Sequence, residues 1–230
     1  MATKTETKKM LLTINLLTIA IVLDLVVSAI PGLNLSMPFG GKFFGLSMLP
    51  LVLIGLFYGV KYGLIAGFIY ALYNFGFDYV IYIDTLRVTL ESWTGESWSA
   101  LKILLLILLD YVIPFTSFGL SGLFKGALRS QIKLIVSMIS VSIVRLISST
   151  LAGVILWSSS ISYAMEQVES GEPHNLATRI FSGVGQSIWL YSFSYNVIYI
   201  ASTTIIVTLI SIVIRRRLLT LIEPISINNL

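Results

Sequence analysis

"IWLYSFSYNVIYIASTTIIVTLISIVI", residues 188–214, runs for 27 residues without a charge. As a helix it would be about 40 Å long at 1.5 Å per residue, more than the roughly 30 Å of a bilayer's hydrocarbon core. Backbone polar groups in lipid must be paired within their own segment or in a closed barrel, and an unbroken Ile/Val/Leu run without apolar–polar alternation selects the helix. The start of the run is less simple. "YSFSYN", residues 191–196, brings two tyrosines, two serines and an asparagine. Each needs a hydrogen-bond partner that lipid does not supply, so these groups face water or something that binds.

Outward from this run the rest of the chain reads alike. Of its 230 residues 56% are hydrophobic and only 11% charged, and the mean hydropathy is +0.92. These values identify an all-α integral membrane protein. Six transmembrane helices are expected, over residues 11–30, 48–60, 63–82, 103–123, 134–157 and 188–214, within a single membrane domain covering 1–230. The second is short and parted from the third only by Lys61 and Tyr62. A helical hairpin is expected there, with Gly55, Gly59, Gly63 and Gly67 permitting close packing. The opening "MATKTETKKM" has the basic end of a signal peptide, but the run after it has the length of a full span and no clear cleavage site, so it is read as the first helix. The chain has no cysteine, which excludes disulfides, thiolate metal sites and a thiol nucleophile.

The basic residues set the orientation. With the N-terminus inside, Lys4, Lys8, Lys9, Lys61, Lys125, Arg129, Lys133 and Arg215 to Arg217 fall on the inner side, whereas Lys42, Arg87, Lys102 and Arg179 fall outside. This bias places both termini in the cytoplasm, and the net charge of +4 then reflects topology, with no nucleic-acid partner implied. The long connections, 31–47, 83–102 and 158–187, lie outside. Glu91, Trp93, Glu96 and Trp98 decorate the second, and the third carries Glu166, Glu169, Glu172 and the lone His174, which is read as solvated and not as a metal ligand.

Three charges fall inside spans: Asp24, Asp110 and Arg145. Each costs roughly 2.5–3.5 kcal/mol at a helix centre, so each is expected to face the bundle interior, a cavity or a partner. Asp24 receives no role. Asp110 and Arg145 either form a structural ion pair or belong to a site. Asp110, about seven residues into its span, sits roughly 10 Å below the outer surface. Arg145, Ser149, Gly153 and Trp157 recur every four residues and form a drifting stripe on the fifth span. Tyr191 and Asn196 are about 140° apart on an ideal helix. The expected answer to the opening question is a ligand pocket near the outer face, shared by Asp110, Trp157 and the polar start of the sixth span. The plainer alternative is an interfacial belt, in which Trp157, Trp189 and Tyr191 only anchor the bundle at the membrane surface.

No phosphate-binding G-x-x-x-x-G-K-[ST] is present, and no H-E-x-x-H or G-x-S-x-G, so neither ATP hydrolysis nor hydrolytic enzyme chemistry is expected. An enzyme is not expected at all, nor a cofactor.

Four stretches, in order, carry a family resemblance. "GGKFFGLSMLPLVLIGLFYGVKYGLIAGFIYAL" (40–72), "LLDYVIPFTSFGLSGLF" (108–124), "RLISSTLAGVILW" (145–157) and "YSFSYN" (191–196) resemble helices two and three, four, five and six of the thiamine-specific substrate-binding (S) components of energy-coupling factor transporters. The resemblance implies a six-helix, vitamin-capturing subunit of the cell membrane that docks on a separate transmembrane subunit driven by two ATPases. It implies an acidic counter-charge for the thiazolium at Asp110, with Tyr111 beside it, a stacking aromatic at Trp157, and a polar pair at Tyr191 and Asn196. Arg145 stands at a lysine-like position, and Ser149 stands where the family commonly has a histidine. The first connection offers Phe39, Phe43 and Phe44 in place of a tryptophan, and small-x-x-x-small spacing is not clear in the first helix, where Asp24 follows Ala20 by four. These departures leave open a phosphorylated form of the vitamin or a related one. A ligand-free membrane scaffold and a self-sufficient secondary carrier are the readings from other classes.

Overall fold

The computed structural model describes residues 4–35, 37, 42–43, 45–79, 84–169 and 187–226. Its extended regular elements are helices: α1 Lys4–Ala29, α2 Met48–Tyr58, α3 Val60–Tyr79, α4 Leu86–Thr94, α5 Ala100–Leu106, α6 Ile113–Thr116, α7 Gln131–Leu156, α8 Ser158–Glu169 and α9 Ile188–Ser226. Among the described residues four stretches are long and apolar enough to cross a membrane: Thr5–Ala29, Ala100–Leu123, Gln131–Leu156 and Ile188–Thr220. The helices α2 and α3 fall at the second and third expected spans, and α2, with 11 residues, is the short apolar one.

The expected α2–α3 hairpin forms, but its break is not at Lys61 and Tyr62. It is the single residue Gly59, at φ +90°, a left-handed backbone that costs glycine nothing and any other residue considerable strain. The glycines do more than join the two helices. A Cβ on Gly63 would meet the Gly119 Cα at 2.5 Å, and one on Gly67 would meet the Phe115 carbonyl oxygen at 2.5 Å. On α2 a Cβ at Gly55 would meet the Gly119 carbonyl oxygen at 3.0 Å, so both helices press backbone to backbone on the fourth span, where the Ser121 hydroxyl also donates to the Val52 carbonyl at 2.8 Å. Around this contact lies the main core, including Leu51, Ile54, Tyr70, Phe118, Leu134 and Val207.

The fourth span is not a uniform helix. Between α5 and α6 the backbone opens into a π-turn over Ile107–Val112, and after α6 it tightens into a 3₁₀ turn over Ser117–Leu123. Pro114 explains the opening. It has no N–H for the carbonyl four residues back, and its ring would strike that carbonyl, which belongs to Asp110; the wider turn relieves both problems. The Ser148 hydroxyl of α7 donates to the Leu109 carbonyl at 2.7 Å, fastening the opened turn to its neighbour.

Two connections expected as outer loops contain helices instead. The 83–102 connection holds α4, and the 158–187 connection begins with α8. Trp98 is wholly buried, beside Leu90, Leu106, Tyr111 and Leu156; it closes a second core instead of decorating a surface. His174 and Glu172 lie outside the described residues. The last helix runs past the expected end at 214 and takes Arg215 to Arg217 into α9.

Asp24 finds a partner. It is 9% exposed, and the Lys42 ammonium donates to its carboxylate at 2.9 Å and to the Ser28 hydroxyl at 2.8 Å. The same first connection is tied to α9, because the Thr203 hydroxyl approaches the Lys42 and Phe43 carbonyls at 3.1 and 3.0 Å and the Gly45 N–H donates to it at 3.3 Å. At the other end of α1 the Tyr62 hydroxyl donates to Glu6, which also pairs with Lys9.

Candidate functional site

Asp110 stands on the π-turn, where the widened backbone turns its side chain toward the end of α7. There Trp157, the residue that closes α7, has left helical geometry at φ −115°, ψ 17°. Its Nε1–H donates to the Asp110 carboxylate at 2.9 Å, and among the described residues this is the carboxylate's hydrogen-bond donor. No cationic side chain lies within salt-bridge distance of Asp110 among those residues.

Arg145 is not paired with it. Its guanidinium lies 4.8 Å from the centre of the Phe118 ring, and Nη1 approaches the Met48 sulfur at 3.6 Å. Its Nε is buried and has no partner. The structural ion pair between Asp110 and Arg145 weighed from sequence is therefore not formed. The two intramembrane charges sit apart, each held by aromatic or sulfur neighbours.

On α9, Asn196 is buried and heavily used. Its Nδ2 donates to the Ser149 carbonyl at 3.3 Å and to the Ser192 carbonyl at 2.8 Å, while its Oδ1 accepts from the Tyr199 hydroxyl at 2.7 Å. The pairing depends on a near-contact of α7 and α9. A Cβ on Gly153 would fall 2.1 Å from the Ser192 Oγ, and that hydroxyl donates to the Thr150 carbonyl at 2.9 Å. Of the predicted stripe, Gly153 and the Ser149 backbone thus serve the α7–α9 seam, Trp157 turns to Asp110, and Arg145 turns to α2 and the fourth span. Tyr199 joins these groups through its hydrogen bond to Asn196.

Two predicted residues also have partners outside this cluster. The Tyr111 hydroxyl donates to Asp78 of α3 at 2.8 Å, and its ring packs edge-on against Phe75 at 5.3 Å. Tyr191 stacks on Tyr195 at 6.0 Å and shares a small core with Met37, Ile161 and Phe43. Of the three first-connection phenylalanines only Phe43 falls among the described residues.

Sequence reasoning passed over three members of this region. Asp78 lies inside the expected third span and was a fourth intramembrane charge to account for. Tyr199 lies three residues after Asn196, the spacing that puts two side chains on one helix face. Trp98 looked like a loop residue because α4, a short amphipathic helix, was not foreseen. Its Nε1–H donates to Thr94 at 2.8 Å, and its ring lies 5.7 Å from Trp157 at 55°.

A half-buried carboxylate without a cationic partner, next to an indole, suits an organic cation. A buried guanidinium with no carboxylate partner among the described residues suits an anionic group. A separate crevice of about 260 Å³ between α7 and α9 is lined by Ile139, Ile143, Leu146, Val197, Ile200 and Ile205 among others. It is almost wholly apolar and offers nothing that recognises charge.

The pattern of the Thiamine transporter protein family matches residues 90–170 of this chain, a stretch that contains Asp110, Arg145 and Trp157. The chain is also 27% identical, over 201 residues, to the thiamine transporter ThiT of Bacillus subtilis (strain 168), covering 83% of this chain and 81% of that relative. No solved structure matches it.

Proposed function

We propose that this chain, which resembles the thiamine transporters over most of its length, is a multi-pass transport protein of the cell membrane rather than an enzyme, and that it captures thiamine, or a close derivative, as the substrate-binding component of an energy-coupling factor importer. In this reading one membrane domain of six spans has both termini in the cytoplasm and its ligand site near the outer face. Asp110 supplies the counter-charge for the thiazolium, with Tyr111 beside it, and Trp157 supplies an aromatic face. Asn196, Ser149 and Tyr191 contribute to the same pocket from α7 and α9. A separate transmembrane subunit and two ATPases release the ligand inward, in keeping with the absence of a phosphate-binding motif from this sequence.

The observation that carries the proposal is the state of Asp110: an intramembrane carboxylate held by a tryptophan N–H at 2.9 Å and not neutralised by Arg145. A charge so placed is costly unless a cation completes it. A permanent organic cation gains from the carboxylate and, by ~0.5–2 kcal/mol, from an aromatic face. The test is mass spectrometry of small molecules released from the purified, denatured protein. Thiamine or a phosphate ester of it is expected; a different vitamin, or no ligand at all, would overturn the assignment. Arg145, with no carboxylate partner among the described residues, favours a second reading, in which the ligand carries phosphate, and the same spectrum separates the two.

A further inference from the structure

We propose that Trp98 is a positioning residue for this site: it fixes the plane of the Trp157 ring and, through the Trp157–Asp110 hydrogen bond, the direction in which the carboxylate points. The proposal rests on the reading that Asp110 and Trp157 meet the ligand.

Trp157 needs such support. It has left helical backbone geometry at the end of α7, so the helix no longer dictates where its ring goes. Its hydrogen bond to Asp110 fixes one atom of the indole, Nε1, and leaves the ring free to swing about that point. A second contact must fix the plane, and Trp98 provides it at 5.7 Å between ring centres with a 55° tilt. Tilted aromatic pairs at this range are favourable and directional.

Trp98 is itself held at both its side chain and its backbone. Its Nε1–H donates to the Thr94 Oγ1 at 2.8 Å, and the Thr94 hydroxyl donates to the Leu90 carbonyl at 2.8 Å. Its backbone N–H donates to the Glu91 carboxylate at 2.9 Å. The Lys102 ammonium lies over the ring at 5.8 Å and is fixed by Glu96 at 2.6 Å. The side chain is wholly buried, so it has no surface left with which to touch a ligand. The order of dependence therefore runs from α4 to Trp98, to Trp157, to Asp110. Thiamine affinity then depends on a residue that the ligand never meets.

The experiment uses the full chain in detergent or nanodiscs. In the ligand-free protein, indoles this close couple through their strong far-ultraviolet transitions, and the resulting circular-dichroism couplet should vanish equally in Trp98→Phe and Trp157→Phe. A couplet that survives Trp98→Phe would overturn the proposal. In thiamine titrations Trp98→Ala should weaken binding about tenfold in the wild-type background but no more than about twofold in Trp157→Phe, because the second substitution removes what the first one positions. Equal losses in both backgrounds, or wild-type affinity in a folded Trp98→Ala, would overturn it. Should Trp98→Ala not fold, Thr94→Val decides: it leaves the ring in place, removes its anchor to α4 and should weaken binding about threefold, and unchanged affinity there counts against the proposal. A wild-type protein that binds no thiamine overturns the underlying ligand reading, a result distinct from wild-type binding that Trp98→Ala leaves untouched.

Discussion

Replacing Asp110 with asparagine removes one charge and little else. Asparagine keeps a carbonyl oxygen that can accept from the Trp157 Nε1–H, now 2.9 Å from the carboxylate. A cation 4 Å from a carboxylate is worth about 4 kcal/mol at an effective dielectric of 20. Asp110 is only half-buried, and the thiazolium charge is spread over a ring, so about half of that, ~2 kcal/mol, is the expected loss, or roughly 30-fold in affinity. Folding should suffer far less. The carboxylate has no salt bridge to Arg145 to lose, so the change amounts to weakening one hydrogen bond, about 1 kcal/mol, against the 3–5 kcal/mol expected for breaking a buried ion pair. The assay is calorimetric titration of thiamine, and of a neutral analogue with an uncharged ring in place of the thiazolium, with a thermal melt of each variant. The analogue should bind wild type and variant almost equally. Wild-type affinity of Asp110→Asn for thiamine would refute the counter-charge role whatever its melting temperature, and a melting loss of ion-pair size would mean that the charge serves the fold.

Gly119→Ala should destabilise the protein by about 1–3 kcal/mol or prevent folding, because the new Cβ would fall 2.3 Å from the Gly63 backbone, which cannot yield as a side chain does; a melt within 1 °C of wild type would count against the close contact. The Trp98 backbone N–H and the Arg87 guanidinium hold the Glu91 carboxyl below its ordinary value of 4.5. The stabilisation from this carboxylate is therefore complete above 4.5 and lost as the pH falls through the lowered value. The protection of the Trp98 amide against hydrogen exchange, relative to the intrinsic rate at each pH, should fall only in that acidic range, and Glu91→Gln should flatten the dependence. Cysteines introduced at Glu96 and Gly171 should label from outside intact cells and one at Arg129 should not, and labelling of the last would defeat the six-span topology. Vesicles holding this chain alone should bind thiamine without accumulating it, and ATP-independent uptake would establish a secondary carrier instead.

What the sequence reveals here follows from what kind of force sets each feature. Apolar runs mark the helices because burying them in lipid outweighs every local preference, and four of the six expected spans have the length and apolarity to cross alone. The α2–α3 hairpin is legible from its glycines, but not its break, since a positive φ at Gly59 looks the same in sequence as a close approach at Gly63. Asp110 and Trp157 are readable as candidates because a lone intramembrane charge and an aromatic at a helix end stand out. Their partners are not. Arg145 turning to Phe118 and Met48, and Tyr111 turning to Asp78, are choices among neighbours set by tertiary packing. The π-turn leaves one trace, Pro114 four residues after Asp110. Trp98 leaves none, because a connection rich in Ser, Thr and Glu reads as solvated until α4 folds over it.

The tie between the first connection and the last helix bears on how the protein is made. Lys42, Phe43 and Gly45 meet Thr203 across about 160 residues of chain. At roughly 5–20 residues per second the ribosome needs on the order of ten seconds or more to deliver that threonine after the connection has emerged. Until then the Lys42–Asp24 pair is the early anchor of the connection, made within the first fifth of the chain. Nascent chains arrested before α9 should therefore insert α1 normally yet leave the Phe43 backbone open to protease, and only release of the last helix from the translocon should close it.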